Sequence, residues 1–305
     1  MSVELLNFIE TVLNGLMSGV MYSLVALGFV LIFKASGVFN FAQGVFALFA
    51  ALTLVGFQTG QIPFSHLINE LFGTNLHNWY PSLHSFLAIL LTIITMIILA
   101  WLVERLVLRH LVNQEPIILF MATIGLAFVL EGVGDLMWGS DVKVLDVGIP
   151  SGGSIWLEEA TIGWASQGSE YYGMYIDVLN VWATLIAIIL VTALALFSQY
   201  TKTGRALRAV ADDHQAALSV GISLRSIWIL VWGISGFIAM VAGIMWGTES
   251  GVQFSLSLIA LKALPVLIFG WFYVNSRGYH WRSLNWSWRK ISRNLHWWSF
   301  RYWRN

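Results

Sequence analysis

Two amides three residues apart, Asn40 and Gln43, with Gly44 directly after them, interrupt an otherwise apolar stretch of the chain. An unpaired amide in hydrocarbon is costly, so these side chains must find partners. Either they line a polar pathway or they cap a broken helix. Glu131, Asp135 and Lys262 lie within other apolar segments, where ionisable residues are functional candidates by default. At about 1.5 Å per residue, Glu131 and Asp135 fall late in their segment, which reads as placement near the outer interface. Lys262 sits deeper in its own segment, although a lysine can snorkel.

Other chemistry is missing from the sequence. There is no GxxxxGK[ST] loop, so the chain does not bind ATP in the P-loop manner. Neither HExxH nor GxSxG occurs. The 7 histidines are scattered without metal-ligand spacing, and the absence of cysteine removes disulfides and thiolate metal sites. The expectation is a protein that is not an enzyme, with no metal and no cofactor of its own.

The elements that hold these residues belong in lipid. The chain is 58% hydrophobic and 10% charged, whereas soluble domains carry about 25% charged residues. Its formal net charge of zero gives no nucleic-acid footprint. Acidic Glu4 and Glu10 stand where a cleaved leader would carry basic residues, so the first apolar segment reads as a retained membrane helix.

A spanning helix needs about 20 mostly apolar residues. That length predicts segments at 12–33, 38–57, 83–103, 117–138, 178–198, 227–247 and 256–272. The last is short and holds Lys262 and Pro265, so it reads as re-entrant or broken. The fold expected is all-α and polytopic, with about seven transmembrane or re-entrant helices. Alternate connections hold Lys34, Arg105, Arg109, Lys202, Arg205, Arg208 and Arg225, against Lys143 alone in the opposite set. The basic set belongs in the cytoplasm, which places the N-terminus outside.

Small residues recur at helical spacing. Gly15 and Gly19 form a GxxxG pair, and Gly243, Gly247 and Gly251 extend the spacing to three. Close helix packing is the reading they support. The connection 199–226 is far more polar than its surroundings. Arg205 to Val210 and Asp212 to Val220 suggest short helices, with Gly221 as a stop. Such a surface helix is placed to dock on a cytoplasmic partner, and an ordinary solvated loop is the competing reading.

Read together, these segments resemble a known family. Gly15 to Gly19, Tyr22 to Gly28, Ile32 to Gly37 and Asn40 to Gly44 look like the start of the branched-chain amino acid ABC permeases. Glu104, Arg105 and Arg109 are similar to that family's cytoplasmic connection after its third span. Gln215, Ala216 and Ala217 followed by Gly221 resemble the EAAxxxG pattern of ABC importers, with Gln where Glu is usual. Leu261, Lys262 and Ala263 match its late segment. The resemblance covers about residues 5–270.

It implies a membrane-spanning subunit of an ATP-driven importer in the bacterial cytoplasmic (inner) membrane, in a family with about eight helices. The implied partners are a second homologous permease, two cytoplasmic ATPases that bind the ATP, and an extracytoplasmic substrate-binding protein. Arg205, Asp212, Gln215, Ala216, Ala217 and Gly221 would then couple to the ATPase, and Asn40, Gln43, Gly44 and Lys262 would line the pathway. The alternatives are a urea or short-amide permease of the same family, a stand-alone secondary transporter or channel, and a non-transporting truncated remnant.

The permease domain is expected over 1–270, and the remainder departs from it. Residues 271–305 hold 7 basic residues, 7 tryptophans and no acid. Glycine codons read one position out of frame give Trp and Arg, so a glycine-rich segment in the wrong frame yields this composition. A basic, aromatic tail lying on anionic lipid is the competing reading. A tail that stacks on nucleic-acid bases is a third.

Overall fold

A computed structural model describes residues 2–268 except 38, 62, 74–81, 112, 113, 151, 154, 163, 165–172 and 213. The tail at 271–305, with the frame reading attached to it, lies outside the described residues. The chain divides into two compact units, Met1–Ala263 and Leu264–Asn305. In the second, the described residues 264–268 are helical.

The first unit is built from helices: α1 (Val3–Ser36), α2 (Gln43–Thr59), α3 (Ser65–Phe72), α4 (Ser85–Leu106), α5 (Pro116–Trp138), α6 (Ile155–Ile162), α7 (Val178–Tyr200), α8 (Lys202–Asp212), α9 (His214–Ser219) and α10 (Leu224–Ser250). A further helix, α11 (Phe254–Ile268), opens with the 3-10 turn Phe254–Leu258. Among the described residues extended pairing is confined to two isolated bridges, Lys143 with Val252 and Gly153 with Asp177. The chain is an all-α polytopic membrane protein. Among the described residues, five helices (α1, α4, α5, α7 and α10) are long and apolar enough to cross a bilayer, while α2 and α11 are shorter and apolar.

As far as its residues are described, each of the seven predicted segments falls on a helix, with shifted ends. α1 starts at Val3 rather than residue 12. Its first turns carry Glu4, Asn7 and Glu10, which lower hydropathy without interrupting the backbone ladder. α2 starts at Gln43 rather than 38. Gly37 ends α1 at φ 70°, its N–H donating to Phe33 O at 2.8 Å, a left-handed cap that glycine adopts without steric cost. The last segment opens with a 3-10 turn, and its described residues 259–268 stay helical through Lys262 and Pro265.

Local signals fix other helix ends. Pro116 opens α5, where its missing N–H is not needed. Asp177 caps α7, accepting from Leu179 N at 2.9 Å, and the same oxygen takes Gly152 N at 3.1 Å.

The interior is formed by α2 and α10. In α10, 67% of the most apolar window is buried, against 11% in the peripheral α7. Residues 43–56 of α2 are nearly all buried. Without a hydrophobic drive between helices in lipid, close approach depends on small side chains. Gly243 lies against the backbone of Ala47, and Gly247 against Ala51, Val252 and Leu145. A Cβ on Gly243 would overlap the Ala47 carbonyl, and one on Gly56 would enter the Trp138 ring. Gly251 ends α10 beside Val142. Gly15 and Gly19 meet no atom within 4 Å on a face of α1 that is exposed in this chain.

Candidate functional site

The first turn of α2 is where the polar side chains gather. After Gly37 the chain folds back into the bundle, so that α2 begins beside Gly28 of α1 and Ser235 of α10. Gly28 lies about two turns, roughly 12 Å, inside the end of α1, and Ser235 about three turns, roughly 16 Å, above the start of α10. The N-terminus of α2 is therefore deep within the helix bundle.

Asn40 and Gln43 are 0% and 1% exposed. Ser235 Oγ donates to Gln43 Oε1 at 2.8 Å, and Gln43 Nε2 donates to the Ser235 carbonyl at 3.3 Å. Asn40 Oδ1 accepts from Ala42 N at 3.1 Å, and Asn40 Nδ2 approaches Gln43 Oε1 at 3.5 Å. These bonds satisfy both amides and tie α2 to α10 beside Gly28 of α1. Thr123 of α5 joins the seam, taking Phe41 N at 3.2 Å and donating to Phe120 O at 2.8 Å. Beside Asn40 is a cavity of about 10 Å³ bordered by Ser36, Thr123 and Trp228, room for one water at most. In this conformation Asn40 and Gln43 face one another and α10 rather than an open channel.

Gly44 faces the opposite way. Its Cα lies against the carbonyl of Ser257, in the opening turn of α11. Ser257 Oγ in turn stands 3.4 Å from Glu131 Oε1 on α5. Residues 251–258 thus run from the pairing of Val252 with Lys143 down to the depth of the first turn of α2. Lys262, further along α11, is exposed, as is Asp135 on α5, whereas Glu131 is half-buried. The structure therefore joins Gln43 to Ser235, and Glu131 to Ser257, on the two sides of one helix start.

The polar segment 199–226 packs elsewhere, with α8 against α7, α1 and α10. α8 is amphipathic: Leu207 and Val210 are 5% and 0% exposed, while Arg205 and Arg208 point outward. Gly204 sits against the Phe197 carbonyl and Ser198 at the end of α7. On α9, Ala217 is buried and Ala216 exposed. The segment ends at Gly221, φ 84°, where Gly221 N donates to Leu218 O and Ile222 N to Ala217 O, both at 3.0 Å. Leu218 and Val220 are exposed, an apolar surface that residue types alone did not single out. The side chains of Asp212 and Gln215 lie outside the described residues.

Near this segment Arg225, at the start of α10, faces Glu104, at the end of α4, across 3.8 Å. Glu104 is 2% exposed, and its Oε2 has no hydrogen-bond partner among the described residues.

Residues 11–272 match the family described as branched-chain amino acid transport system / permease component. A relative from Escherichia coli (strain K12), the high-affinity branched-chain amino acid transport system permease protein LivH, is 27% identical over 281 residues, covering 88% of this chain and 81% of the relative. The corresponding permease protein BraD of Pseudomonas aeruginosa is 23% identical, over 82% of this chain and 74% of its own. A probable branched-chain amino acid transport permease protein LivH of Methanocaldococcus jannaschii is 30% identical, over 72% and 60%. No solved structure matches.

Proposed function

The chain belongs to the family of branched-chain amino acid transport permease components, and from that membership we propose that it carries branched-chain amino acids as the membrane-spanning subunit of an ATP-driven importer. The match over residues 11–272 carries this reading. The buried first turn of α2 supports it, since helices that start inside a membrane bundle direct backbone N–H groups and a positive dipole end toward a binding region.

The working assembly contains a second homologous permease, two cytoplasmic ATPases and an extracytoplasmic binding protein. It sits in the bacterial inner membrane with the N-terminus outside, the orientation that the skew of Lys and Arg favours. ATP-driven closure of the ATPases moves α8 and α9, with Arg205, Asp212, Gln215, Ala216, Ala217 and Gly221 forming the contact. α8 packs on the ends of α1, α7 and α10, so its displacement reaches the helices that frame the polar seam. Asn40, Gln43, Gly44 and Lys262 line the route, which opens when that seam is pulled apart.

Purification of the tagged chain from its native membrane, followed by uptake of a branched-chain amino acid in vesicles, tests the reading. Recovery of a P-loop ATPase and uptake driven by ATP are expected. Uptake driven by an ion gradient with no ATPase present would overturn it.

A further inference from the structure

Glu131 is a carboxylate without an adequate partner. It stands about two turns, roughly 10 Å, inside Trp138 at the end of α5, and Ser257 Oγ approaches it at 3.4 Å. Ser257 Oγ also lies 2.8 Å from Phe254 O. A serine hydroxyl has a single hydrogen, and the shorter contact takes it. Among the described residues no cation lies within ion-pair distance of Glu131. A bare carboxylate at this depth is costly unless a cation or several donors reach it.

The side of α5 next to Glu131 is open in this chain. Met121, Phe128 and Leu136 are exposed, and Gly125 and Gly132 meet no atom within 4 Å. The helices of this chain therefore leave the carboxylate uncovered on that side. Charge and depth together select the group that fits, which is a compact cation with several N–H donors.

We propose that Glu131 receives the ammonium group of the zwitterionic substrate during transit, with Ser257 positioned to turn its hydroxyl onto the same carboxylate; this rests on the importer reading above. The substrate supplies the charge-assisted bonds that Glu131 lacks at rest. Release follows when movement of α11 carries Ser257 away and water reaches the carboxylate.

The test uses the assembled complex with its binding protein in proteoliposomes. Glu131→Gln keeps the shape and removes the charge. Uptake should fall about tenfold or more, the loss expected for a hydrogen bond to a charged group, while ATPase stimulation by the loaded binding protein stays at the wild-type level. Glu131→Asp should retain the larger share of uptake. The chain has no cysteine, so Ser257→Cys gives a second readout. That thiol should react faster with a cationic than with an anionic thiosulfonate, and the preference should vanish when Glu131→Gln is added. Unchanged uptake in Glu131→Gln, or equal reactivity of the two reagents at Ser257→Cys, overturns the inference. Equal reactivity at Ser257→Cys would overturn it even if Glu131→Gln fails to assemble. A wild-type complex without uptake or ATPase would instead overturn the importer reading.

Discussion

Glu104 and Arg225 face each other across 3.8 Å with unequal burial, the carboxylate 2% exposed and the guanidinium side chain 55% exposed. The buried partner bears the desolvation cost, and the exposed one is partly screened by solvent. Removing the cation should therefore do more harm than neutralising the acid. Arg225→Ala is expected to destabilise the chain by roughly 1–2 kcal/mol, because it leaves Glu104 charged and alone. Glu104→Gln should be close to neutral. Thermal unfolding in detergent ranks the two, and equal losses would show that the pair contributes no directional electrostatics.

At the seam, Ser235→Ala removes the 2.8 Å bond to Gln43 Oε1. Only the 3.5 Å approach of Asn40 Nδ2 is then left to that buried oxygen. The expected cost is about 1–3 kcal/mol. Gly28→Ala should be worse, since the added Cβ overlaps the Gln43 amide, which can move only by giving up Ser235. A melting temperature for Gly28→Ala at or above that of Ser235→Ala would mean that the amide has room to swing.

Much of this was legible in the sequence, and what was missed has physical causes. Length and hydropathy located each long apolar helix among the described residues, because the bilayer sets a length scale that soluble cores do not. Asn40 and Gln43 marked a break at the start of the second span. Their partner, Ser235, is one hydroxyl in an apolar segment and gives no local signal. Glu104 was visible as part of the loop after the third span, but its pairing with Arg225 joins positions far apart in the chain. Glu131 read as interfacial from its place in the fourth span. Only the descent of 251–258 to Gly44 shows that Ser257, and so Glu131, lies at the depth of the first turn of α2.

Gly221 has φ 84° and closes α9 beside exposed Leu218 and Val220. An aspartate there would set a charge beside that exposed apolar surface. Gly221→Asp should lose ATPase association while still inserting in the membrane. Gly221→Asn meets the same backbone demand without the charge and should keep more of the association. Retained ATPase binding in Gly221→Asp would remove Gly221 from the contact.

The composition of residues 271–305 makes a prediction at the level of DNA. The matched region ends at residue 272, close to where Trp and Arg replace glycine and aliphatic residues. Sequencing across codons 260–305 and translating the neighbouring frames should yield a glycine-rich apolar segment. If no frame does so, the basic aromatic tail is authentic, and binding of its peptide to anionic vesicles becomes the measurement that defines it.

Topology can be tested in the same cysteine-free background. The skew of Lys and Arg places α8 in the cytoplasm and the start of α1 outside. Ser2→Cys, directly before α1, should react with an impermeant maleimide on intact cells. Thr203→Cys, in the first turn of α8, should react only after the membrane is opened. Tyr175 offers a third position, because its carbonyl accepts from Asn14 Nδ2 at 2.9 Å, which places the segment before α7 on the same side as the start of α1. Tyr175→Cys should therefore label with Ser2→Cys. Labelling of Thr203→Cys from outside would invert the topology and, with it, the side on which an ATPase could meet α8 and α9.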